Sequence, residues 1–293
     1  RLDALVMVGG FEGYLAMYNV SLGKGTHAAL DIPIICIPAT ISSNCPWSDA
    51  SIGCDRGVAN LVDAVDKVKQ SAVSVRRCFI VECMGAKCGY LAFMGALVCG
   101  AEAVLLNEDR VSLADIARHL DDVRARFAGA LDAYDDDEAS DGGVDDDDAC
   151  RELAEHSRTC IIIKNETASE GLFTSGFLKQ LFEREGGAMF DVRTSVLGHL
   201  QQGGAPTVTD RFRAARFAKA AFDFVQEFQN TGIHRFTTSP SVAIGEIGGS
   251  MVFTNLHKLP HDVDMSKRRP LRQWWSGLRS TYARLSQPYG GYN

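Results

Sequence analysis

The sequence has no long apolar run, and it lacks the patterns of several functional classes. No stretch of its 293 residues reaches the roughly 18 consecutive apolar residues that a membrane-spanning helix requires. A stripe of basic residues interleaved with aromatic residues is also missing, which argues against a nucleic-acid-binding surface. We therefore expect a protein with neither a membrane nor a nucleic-acid partner.

Cysteine pairs at the spacing of metal ligands are absent as well. The nine cysteines include no CxxC pair, and several lie in apolar runs such as IICIP and RRCFIVEC. This pattern favours scattered, reduced thiols of a cytoplasmic protein over a zinc site or a disulfide scaffold. A GxGxxG sequence never follows a predicted strand, which weakens a nicotinamide or flavin dehydrogenase, and neither a Walker A nor a GxSxG motif occurs.

Acidic residues are concentrated in one short segment. Residues 135–148, DDDEASDGGVDDDD, hold nine acids and no base, and without them the formal net charge changes from −7 to +2. Such a block repels itself and has almost nothing to bury, so we predict a disordered, solvated loop. A calcium site is the alternative, although the spacing lacks the EF-hand pattern.

Apolar runs of strand length alternate with helical patterns along the chain. In 58–71 and 112–131, apolar residues recur every three or four positions, which is typical of amphipathic helices. Repeated alternation of strands and helices predicts an α/β fold with mainly parallel sheets flanked by helices. The predicted strands are Ala4–Val8, Ile34–Ile37, Cys78–Glu82, Ala103–Leu106, Cys160–Ile163, Thr194–Leu197 and Ser241–Ile244.

Glycine, hydroxyl, amide and charged residues follow the ends of five of these strands. The segments are GGFEGY, PATISSNCP, ECMGAK, KNE and GHLQQGG. Ligands of open α/β sheets bind in the loops beyond the carboxyl ends of the strands. We therefore expect these five segments to line one shared cleft.

The most informative segment is 193–212, RTSVLGHLQQGGAPTVTDRF. An apolar pair, a glycine-rich stretch and a helical pattern after Pro206 predict a strand, a tight turn and a helix start. The free N–H groups of a helix start bind anions, and Arg193 and His199 lie just upstream as further donors, so the segment suits a phosphorylated small molecule. An ordinary strand-to-helix turn with an incidental histidine is the alternative.

Taken in order, the motifs GGFEGY, PATISSN, MGAKCGYLA, KNE, FDVRTSVLGHLQQGG and QWW resemble the C-terminal half of a eukaryotic ATP-dependent 6-phosphofructokinase. The resemblance covers nearly the whole chain and leaves out only the acidic segment and the last residues. Because the chain starts at Arg1 and runs at once into what reads as a strand interior, we expect a fragment or one half of a longer polypeptide.

The resemblance implies a glycolytic enzyme that uses ATP and magnesium to phosphorylate fructose 6-phosphate to fructose 1,6-bisphosphate. The catalytic half of the family has GGDGS where this chain has GGFEG, and TIDND where it has TISSN. The first motif supplies an acid for magnesium, and the second supplies the aspartate that takes the proton from the sugar. Phe11 and Ser42 stand in those positions, so we expect no catalytic residue, no metal and no cofactor in this half.

By the same resemblance, this half keeps a former substrate cleft as a site for the activator fructose 2,6-bisphosphate. The 40–44 loop matches a contact to one phosphate. Met84, Gly85 and Ala86 match a backbone segment that lines the sugar, and Glu166 matches an acid that accepts hydrogen bonds from sugar hydroxyls. Ala86 replaces the more usual glycine, which disfavours a backbone conformation with positive φ at that position.

Basic residues complete the expected effector site. Arg193 and the 199–202 turn match contacts to the second phosphate, Arg77 matches an arginine supplied across a subunit interface, and Arg268 matches a late arginine of the family. Guanidinium groups suit this task because they bind phosphate oxygens through paired hydrogen bonds. The candidate effector-binding residues are Thr40, Ile41, Ser42, Ser43, Asn44, Arg77, Met84, Gly85, Ala86, Glu166, Arg193, His199, Leu200, Gln201, Gln202 and Arg268.

We expect two α/β lobes with a ligand cleft between them, one formed by 1–57 plus 203–293 and one by 58–202, which carries the acidic loop. The expected function is that of the regulatory half of a cytoplasmic homo- or hetero-oligomeric enzyme, whose catalytic half belongs to the same polypeptide. One alternative is a diverged but active kinase half that uses Glu12. The other is a structural half without a ligand that supports oligomerisation.

Overall fold

The computed structural model describes residues 2–71, 76–137, 159–232, 237 and 239–286. It divides into a first unit of Arg1–Val58 and Gln202–Gly277 and a second unit of Ala59–Gln201 and Leu278–Asn293. The strands are β1 Leu5–Gly9, β2 Ile34–Pro38, β3 Arg77–Cys83, β4 Ala103–Leu105, β5 Thr159–Asn165, β6 Asp191–Val196, β7 Ser241–Ile247, β8 Ser250–Asn255, β9 Val263–Asp264 and β10 Arg269–Pro270. The α-helices are α1 Phe11–Leu22, α2 Cys54–Gln70, α3 Tyr90–Cys99, α4 Leu113–Asp137, α5 Ser175–Gly186, α6 Val208–Thr231, α7 Leu259–Asp262 and α8 Arg279–Leu285.

The first unit is built on a sheet with the strand order β1-β2-β7-β8. β1, β2 and β7 are parallel, and β8 is antiparallel to β7. The alternation of side chains along a strand explains why β2 is apolar throughout. Ile34 and Cys36 belong to the core cluster that includes residues of α1, whereas Ile35 and Ile37 belong to the cluster that includes residues of α6.

The second unit is built on a fully parallel sheet with the strand order β4-β5-β3-β6. One core cluster joins this sheet to apolar residues of α4 and α5. Within it, the rings of Phe127 and Phe190 stack with centroids 4.9 Å apart. Parallel strands buried under helices read as continuous apolar runs, which is the pattern of RCFIVEC and TCIIIKN.

All seven predicted strands are present as β1 to β7, and the predicted α/β fold with parallel sheets flanked by helices is confirmed. The strand β8 is not predicted from the sequence. This strand follows β7 through Gly248 and Gly249, which have φ values of 55° and 78°. Two consecutive residues with positive φ form a tight hairpin turn, so the glycine pair is the sequence signal for β8.

The C-terminal segment departs from the predicted division of the chain. Residues 203–293 are predicted to belong to one lobe, but from Leu278 onward the described chain packs with the second unit. The Arg279 guanidinium donates to the Asp109 carboxylate at 2.7 Å, and the Tyr282 hydroxyl donates to the Ala101 carbonyl at 2.9 Å. These long-range hydrogen bonds hold the segment against the second unit. Local sequence patterns do not predict them.

The predicted acidic loop falls mostly outside the described part of the chain. α4 continues through Asp137, so residues 135–137 of the predicted loop are helical. Residues 138–148 lie outside the described residues. None of the helices in the described part of the chain combines the length and the apolar composition that a membrane crossing requires.

Candidate functional site

Three loops at the carboxyl ends of neighbouring strands form the first group of candidate residues. β5, β3 and β6 are adjacent and parallel. Glu166, the 84–86 segment and the 3-10 turn Gly198–Gln202 therefore leave the sheet of the second unit at the same edge. Three of the five predicted segments are thus brought together, while GGFEGY and PATISSN follow β1 and β2 in the first unit.

The Glu166 carboxylate holds the 84–86 segment in place. Its Oε1 atom accepts hydrogen bonds from the backbone N–H groups of Gly85, at 3.1 Å, and Ala86, at 2.7 Å. The Glu166 N–H in turn donates to the carbonyl of Cys83 at 2.9 Å. Hydrogen bonds to a charged group contribute about 1.5–3 kcal/mol each. Glu166 therefore shapes the loop that the resemblance assigns to the sugar.

Ala86 adopts a positive φ in spite of its side chain. Its φ is 47°, and that of Gly85 is 139°. The left-handed conformation costs a non-glycine residue about 1–2 kcal/mol, so the alanine strains the turn but does not prevent it. Glycine is required at position 85, where a methyl group would lie 2.5 Å from the Cys88 carbonyl oxygen and 2.8 Å from Asn165 Nδ2.

The 199–202 turn has one buried residue among exposed ones. Gln201 is buried, and its Oε1 atom accepts a hydrogen bond from the Met84 N–H at 2.8 Å. Asn60 Nδ2 donates to the Gln201 carbonyl at 2.9 Å. His199 is exposed, and Leu200 is 83% exposed. Gln201 therefore supports the 84–86 segment, whereas its neighbours face solvent.

A largely buried ion pair lies beneath these loops, and its role is not predicted from the sequence. Lys164 Nζ lies 3.0 Å from Glu82 Oε2, and the lysine and glutamate side chains are 2% and 22% exposed. The ammonium group also donates to the carbonyls of Asn165, at 3.3 Å, and Glu166, at 3.4 Å, while the Ser175 hydroxyl donates to Glu82. Glu82 and Lys164 are register partners in adjacent strands. The sequence signal that could have revealed this ion pair is the presence of opposite charges near the ends of two apolar strands.

The 40–44 loop and Arg268 lie together in the first unit. Asn44 Nδ2 donates to the Arg268 carbonyl at 3.0 Å. Within the loop, the Ser42 N–H donates to Thr40 Oγ1 at 3.3 Å, and Ser43 has a φ of 47°. Two predicted phosphate-binding elements that are more than two hundred residues apart in the sequence are thus neighbours.

The residues at the expected metal position do not fit a magnesium ion. Phe11 is buried in the core cluster that also holds Tyr14 and Ile34. Glu12 is exposed, and its Oε1 atom pairs with Arg268 Nη1 at 2.5 Å. Magnesium takes oxygen ligands, usually carboxylates together with water and phosphate. The described residues also contain no group of three His, Cys, Asp or Glu side chains placed to hold a metal ion.

Two predicted phosphate-binding arginines lie apart from these loops. Arg77 begins β3, so about 20 Å of strand separates it from the 84–86 segment, and its Nη1 donates to the Ser71 carbonyl at 2.9 Å. Its action across a subunit interface stays a prediction. The sequence predicts that Arg193 precedes a strand, but it lies within β6. Its guanidinium group pairs with Asp191 at 3.1 Å.

The start of α6 holds a buried carboxylate. Thr207 caps the helix by accepting the Asp210 N–H at 3.1 Å. The Asp210 carboxylate accepts the N–H groups of Gly53, at 2.8 Å, and Arg56, at 2.9 Å, and so caps the start of α2 as well. The same carboxylate pairs with the Arg213 guanidinium at 3.4 Å, so its charge is offset within the helix. The anion site at this helix start stays a prediction. Sequence reasoning missed this role of Asp210 because its partners lie more than 150 residues away.

The cysteines of the described chain are buried. Eight of the nine lie among these residues, and Cys150 lies outside the described residues. Burial raises the pKa of Cys36 to about 12 and that of Cys99 to about 11. Cys36 and Cys99 therefore stay protonated near neutral pH and act as small apolar core residues.

Comparisons with known proteins agree on one family. Residues 1–131 and 140–225 match the family model described as Phosphofructokinase. The chain is similar to the human ATP-dependent 6-phosphofructokinase, platelet type, with 32% identity over 298 residues that cover 100% of this chain and 34% of that protein. It is also similar to the ATP-dependent 6-phosphofructokinase of Dictyostelium discoideum, with 35% identity over 287 residues that cover 98% of this chain and 31% of that protein.

The fold agrees with these sequence matches. The solved structure of phosphofructokinase from Saccharomyces cerevisiae superposes with a TM-score of 0.84 at 27% identity, over 98% of this chain and 35% of that chain. The chain thus spans about one third of the length of the relatives it matches. Because the family model covers well over half of the sequence, and the paired α/β units agree with it, the chain belongs to the phosphofructokinase family.

Proposed function

We propose that this chain is the regulatory half of a eukaryotic-type ATP-dependent 6-phosphofructokinase. In this proposal it binds fructose 2,6-bisphosphate and does not itself transfer a phosphoryl group. A catalytic half of the same, longer polypeptide uses ATP and magnesium to phosphorylate fructose 6-phosphate. The enzyme is a cytoplasmic homo- or hetero-oligomer, in which Arg77 reaches the effector site of a neighbouring subunit.

This proposal rests on the identity of the residues at the two expected catalytic positions, neither of which is an acid. Phe11 is a buried aromatic residue where a metal-binding acid is expected. Ser42 offers a hydroxyl group where a carboxylate base is expected, and a hydroxyl group is a poor base near neutral pH. General base catalysis alone contributes about 10²- to 10⁴-fold to the rate. The loss of both groups therefore argues against phosphoryl transfer by this half.

The expected sugar- and phosphate-binding elements support the same proposal because, within each unit, they are hydrogen-bonded to one another. Glu166 and Gln201 hold the 84–86 segment. Asn44 holds the backbone of Arg268. A sugar bisphosphate needs hydrogen-bond partners for its hydroxyl groups and cations for its phosphates, and these residues supply both kinds of group.

The test is an activator titration of the natural enzyme at limiting fructose 6-phosphate. Arg193→Ala is expected to weaken activation by fructose 2,6-bisphosphate about 10- to 150-fold, because it removes a charge-assisted hydrogen bond to a phosphate. Arg118→Ala removes a comparable exposed ion pair on α4 and is the matched control. An Arg193→Ala variant that keeps the wild-type midpoint but loses maximal velocity would mean that this half is catalytic.

A diverged but active kinase half is the second candidate, since Glu12 stands one residue from the expected acid. Its carboxylate is already paired with Arg268, which favours the regulatory proposal. The two candidates are separated by Glu12→Gln in the natural enzyme, assayed at saturating substrate. Loss of turnover would identify Glu12 as a catalytic group. Unchanged maximal velocity is the result expected for a regulatory half.

A further inference from the structure

A short, well-ordered turn presents Arg268. The strands β9 and β10 pair antiparallel on either side of it. Inside the turn, Asp264 Oδ1 accepts hydrogen bonds from the Ser266 N–H, at 2.9 Å, the Ser266 hydroxyl, at 2.7 Å, and the Lys267 N–H, at 2.9 Å. Arg268 itself has a φ of 54°, a conformation that non-glycine residues seldom adopt. The backbone of Arg268 is therefore held in place even though its side chain is exposed.

The same turn is tied to the predicted phosphate loop. Asn44 Nδ2 donates to the Arg268 carbonyl, which brings the arginine backbone against the 40–44 loop. The Oδ1 atom of Asn44 is buried and has no hydrogen-bond partner within the described chain. A buried acceptor without a donor is unusual in a folded protein, so within the described residues the side chain of Asn44 is engaged with this turn through its Nδ2 atom.

The guanidinium group of Arg268 has a local partner of its own. Its Nη1 atom lies 2.5 Å from Glu12 Oε1, and the two side chains are 61% and 64% exposed. Glu12 is the acidic residue in the first turn of α1, directly after the end of β1. Exposed ion pairs are weak because water screens them, and a phosphate group carries more negative charge than a carboxylate and also binds a guanidinium group through two parallel hydrogen bonds. A phosphate group can therefore displace this carboxylate.

We propose that Glu12 is the counter-ion that occupies Arg268 in the free protein and that a phosphate of the sugar bisphosphate takes its place. This inference rests on the proposed function, in which Arg268 binds the effector. Glu12 lowers effector affinity in two ways: it must first release the guanidinium group, and it then repels a phosphate that carries about −1.5 to −2 charges. Glu12 is thus a residue that sets the effector concentration at which the enzyme responds.

A double-mutant cycle with calorimetric titration of fructose 2,6-bisphosphate tests this inference on the natural enzyme. Glu12→Gln is expected to tighten binding about two- to five-fold, which is the range of an exposed ion pair. Arg268→Gln is expected to weaken binding. In the Arg268→Gln background, Glu12→Gln is expected to change the Kd by less than about two-fold, since no cation is left to release. Raising the salt concentration is expected to reduce the gain from Glu12→Gln.

A charge-matched control separates the ion pair from a general effect of charge. Asp63→Asn removes one exposed carboxylate on α2, paired with Lys67, and is expected to leave the Kd unchanged. An equal gain from Asp63→Asn, or an equal gain from Glu12→Gln in both arginine backgrounds, would mean that only net charge matters and would overturn the counter-ion role. Weaker binding by Glu12→Gln would overturn it too, because Glu12 would then contact the ligand.

The outcomes also separate this inference from the proposed function. If the wild-type enzyme binds no fructose 2,6-bisphosphate, the proposed function fails. If the wild type binds but Glu12→Gln has the same Kd, only the counter-ion role is wrong. Thermal unfolding of each variant checks that the substitutions leave the fold intact.

Discussion

The 84–86 segment and the predicted phosphate-binding arginines are held in opposite ways. The segment is fixed by Glu166 and Gln201, whose bonds are made to backbone groups within the candidate site. The arginine side chains instead bond to acceptors of their own surroundings. These acceptors are the Ser71 carbonyl for Arg77, Asp191 for Arg193 and Glu12 for Arg268.

This difference separates a preorganised part of the site from a part that must exchange partners. Ordering groups before binding reduces the entropic cost of binding, so under the proposed function the 84–86 segment favours affinity directly. Under the same proposal the arginines release a local acceptor before they bind a phosphate, so their contribution depends on the strength of that local contact. Substitutions in the first part are expected to affect folding, and substitutions in the second part are expected to affect ligand binding.

The largest expected effect on folding comes from the ion pair beneath the preorganised part. Lys164→Met leaves Glu82 without its counter-ion and is expected to lower the free energy of unfolding by about 3 kcal/mol, measured by denaturant titration. Lys179→Met removes an exposed pair with Glu183 and is the matched control, with an expected loss below about 1 kcal/mol. Equal losses in the two variants would contradict a structural role for the buried pair.

A smaller loss is expected when the loop loses its acceptor. Glu166→Ala leaves the N–H groups of Gly85 and Ala86 without a partner and is expected to destabilise the protein by about 2 kcal/mol. Hydrogen exchange at these two amides is expected to accelerate more than the global change in stability explains. Glu183→Ala is the control at an exposed carboxylate of α5. Unchanged exchange at Gly85 and Ala86 would show that Glu166 does not hold the loop.

A gain of stability is expected at the strained alanine. Ala86→Gly relieves the positive φ and is expected to raise the free energy of unfolding by about 1 kcal/mol. The opposite sign is expected for Ala215→Gly, because Ala215 lies exposed within α6, where glycine costs about 0.5–1 kcal/mol. Both changes are measured as shifts of the thermal midpoint. A loss of stability in both variants would mean that Ala86 is not strained.

The smallest effect on folding is expected at the second part of the site. Arg193→Ala breaks a half-exposed pair with Asp191 and is expected to change the free energy of unfolding by less than about 1 kcal/mol. The same variant is the one expected to lose activator binding. A large loss of stability would mean that Arg193 has a structural role like that of Glu166 and Gln201. The arginines would then not differ from the preorganised part of the site.

The strands, and the polar loops that make up the candidate site, are predictable from the sequence because they depend on local patterns. Apolar runs such as IICIP and TCIIIKN identify buried parallel strands, and the carboxyl ends of such strands carry the polar loops. The roles of single loop residues are less accessible. Gln201 and Leu200 are neighbours in one turn, yet one is buried and the other is 83% exposed.

The remaining features depend on contacts between distant residues. Asp210 caps a helix that begins more than 150 residues earlier, and Tyr282 bonds to Ala101 across a separation of 181 residues. Lys164 becomes an ion-pair partner only because β5 lies beside β3 in register with Glu82. Local sequence patterns do not predict such pairings, so these features can be identified only in the folded chain.

The burial of Phe11 also limits how this sequence can change over evolutionary time. Its ring fills part of the core between α1 and the sheet of the first unit. An aspartate at this position would place a carboxylate among apolar side chains, at a cost of several kcal/mol against a total stability of about 5–15 kcal/mol for a typical domain. A single substitution that introduces an acid at this position would therefore threaten folding before it could bind a metal. A lineage with an aromatic ring at this position must first rebuild the surrounding core before it can carry an acid there.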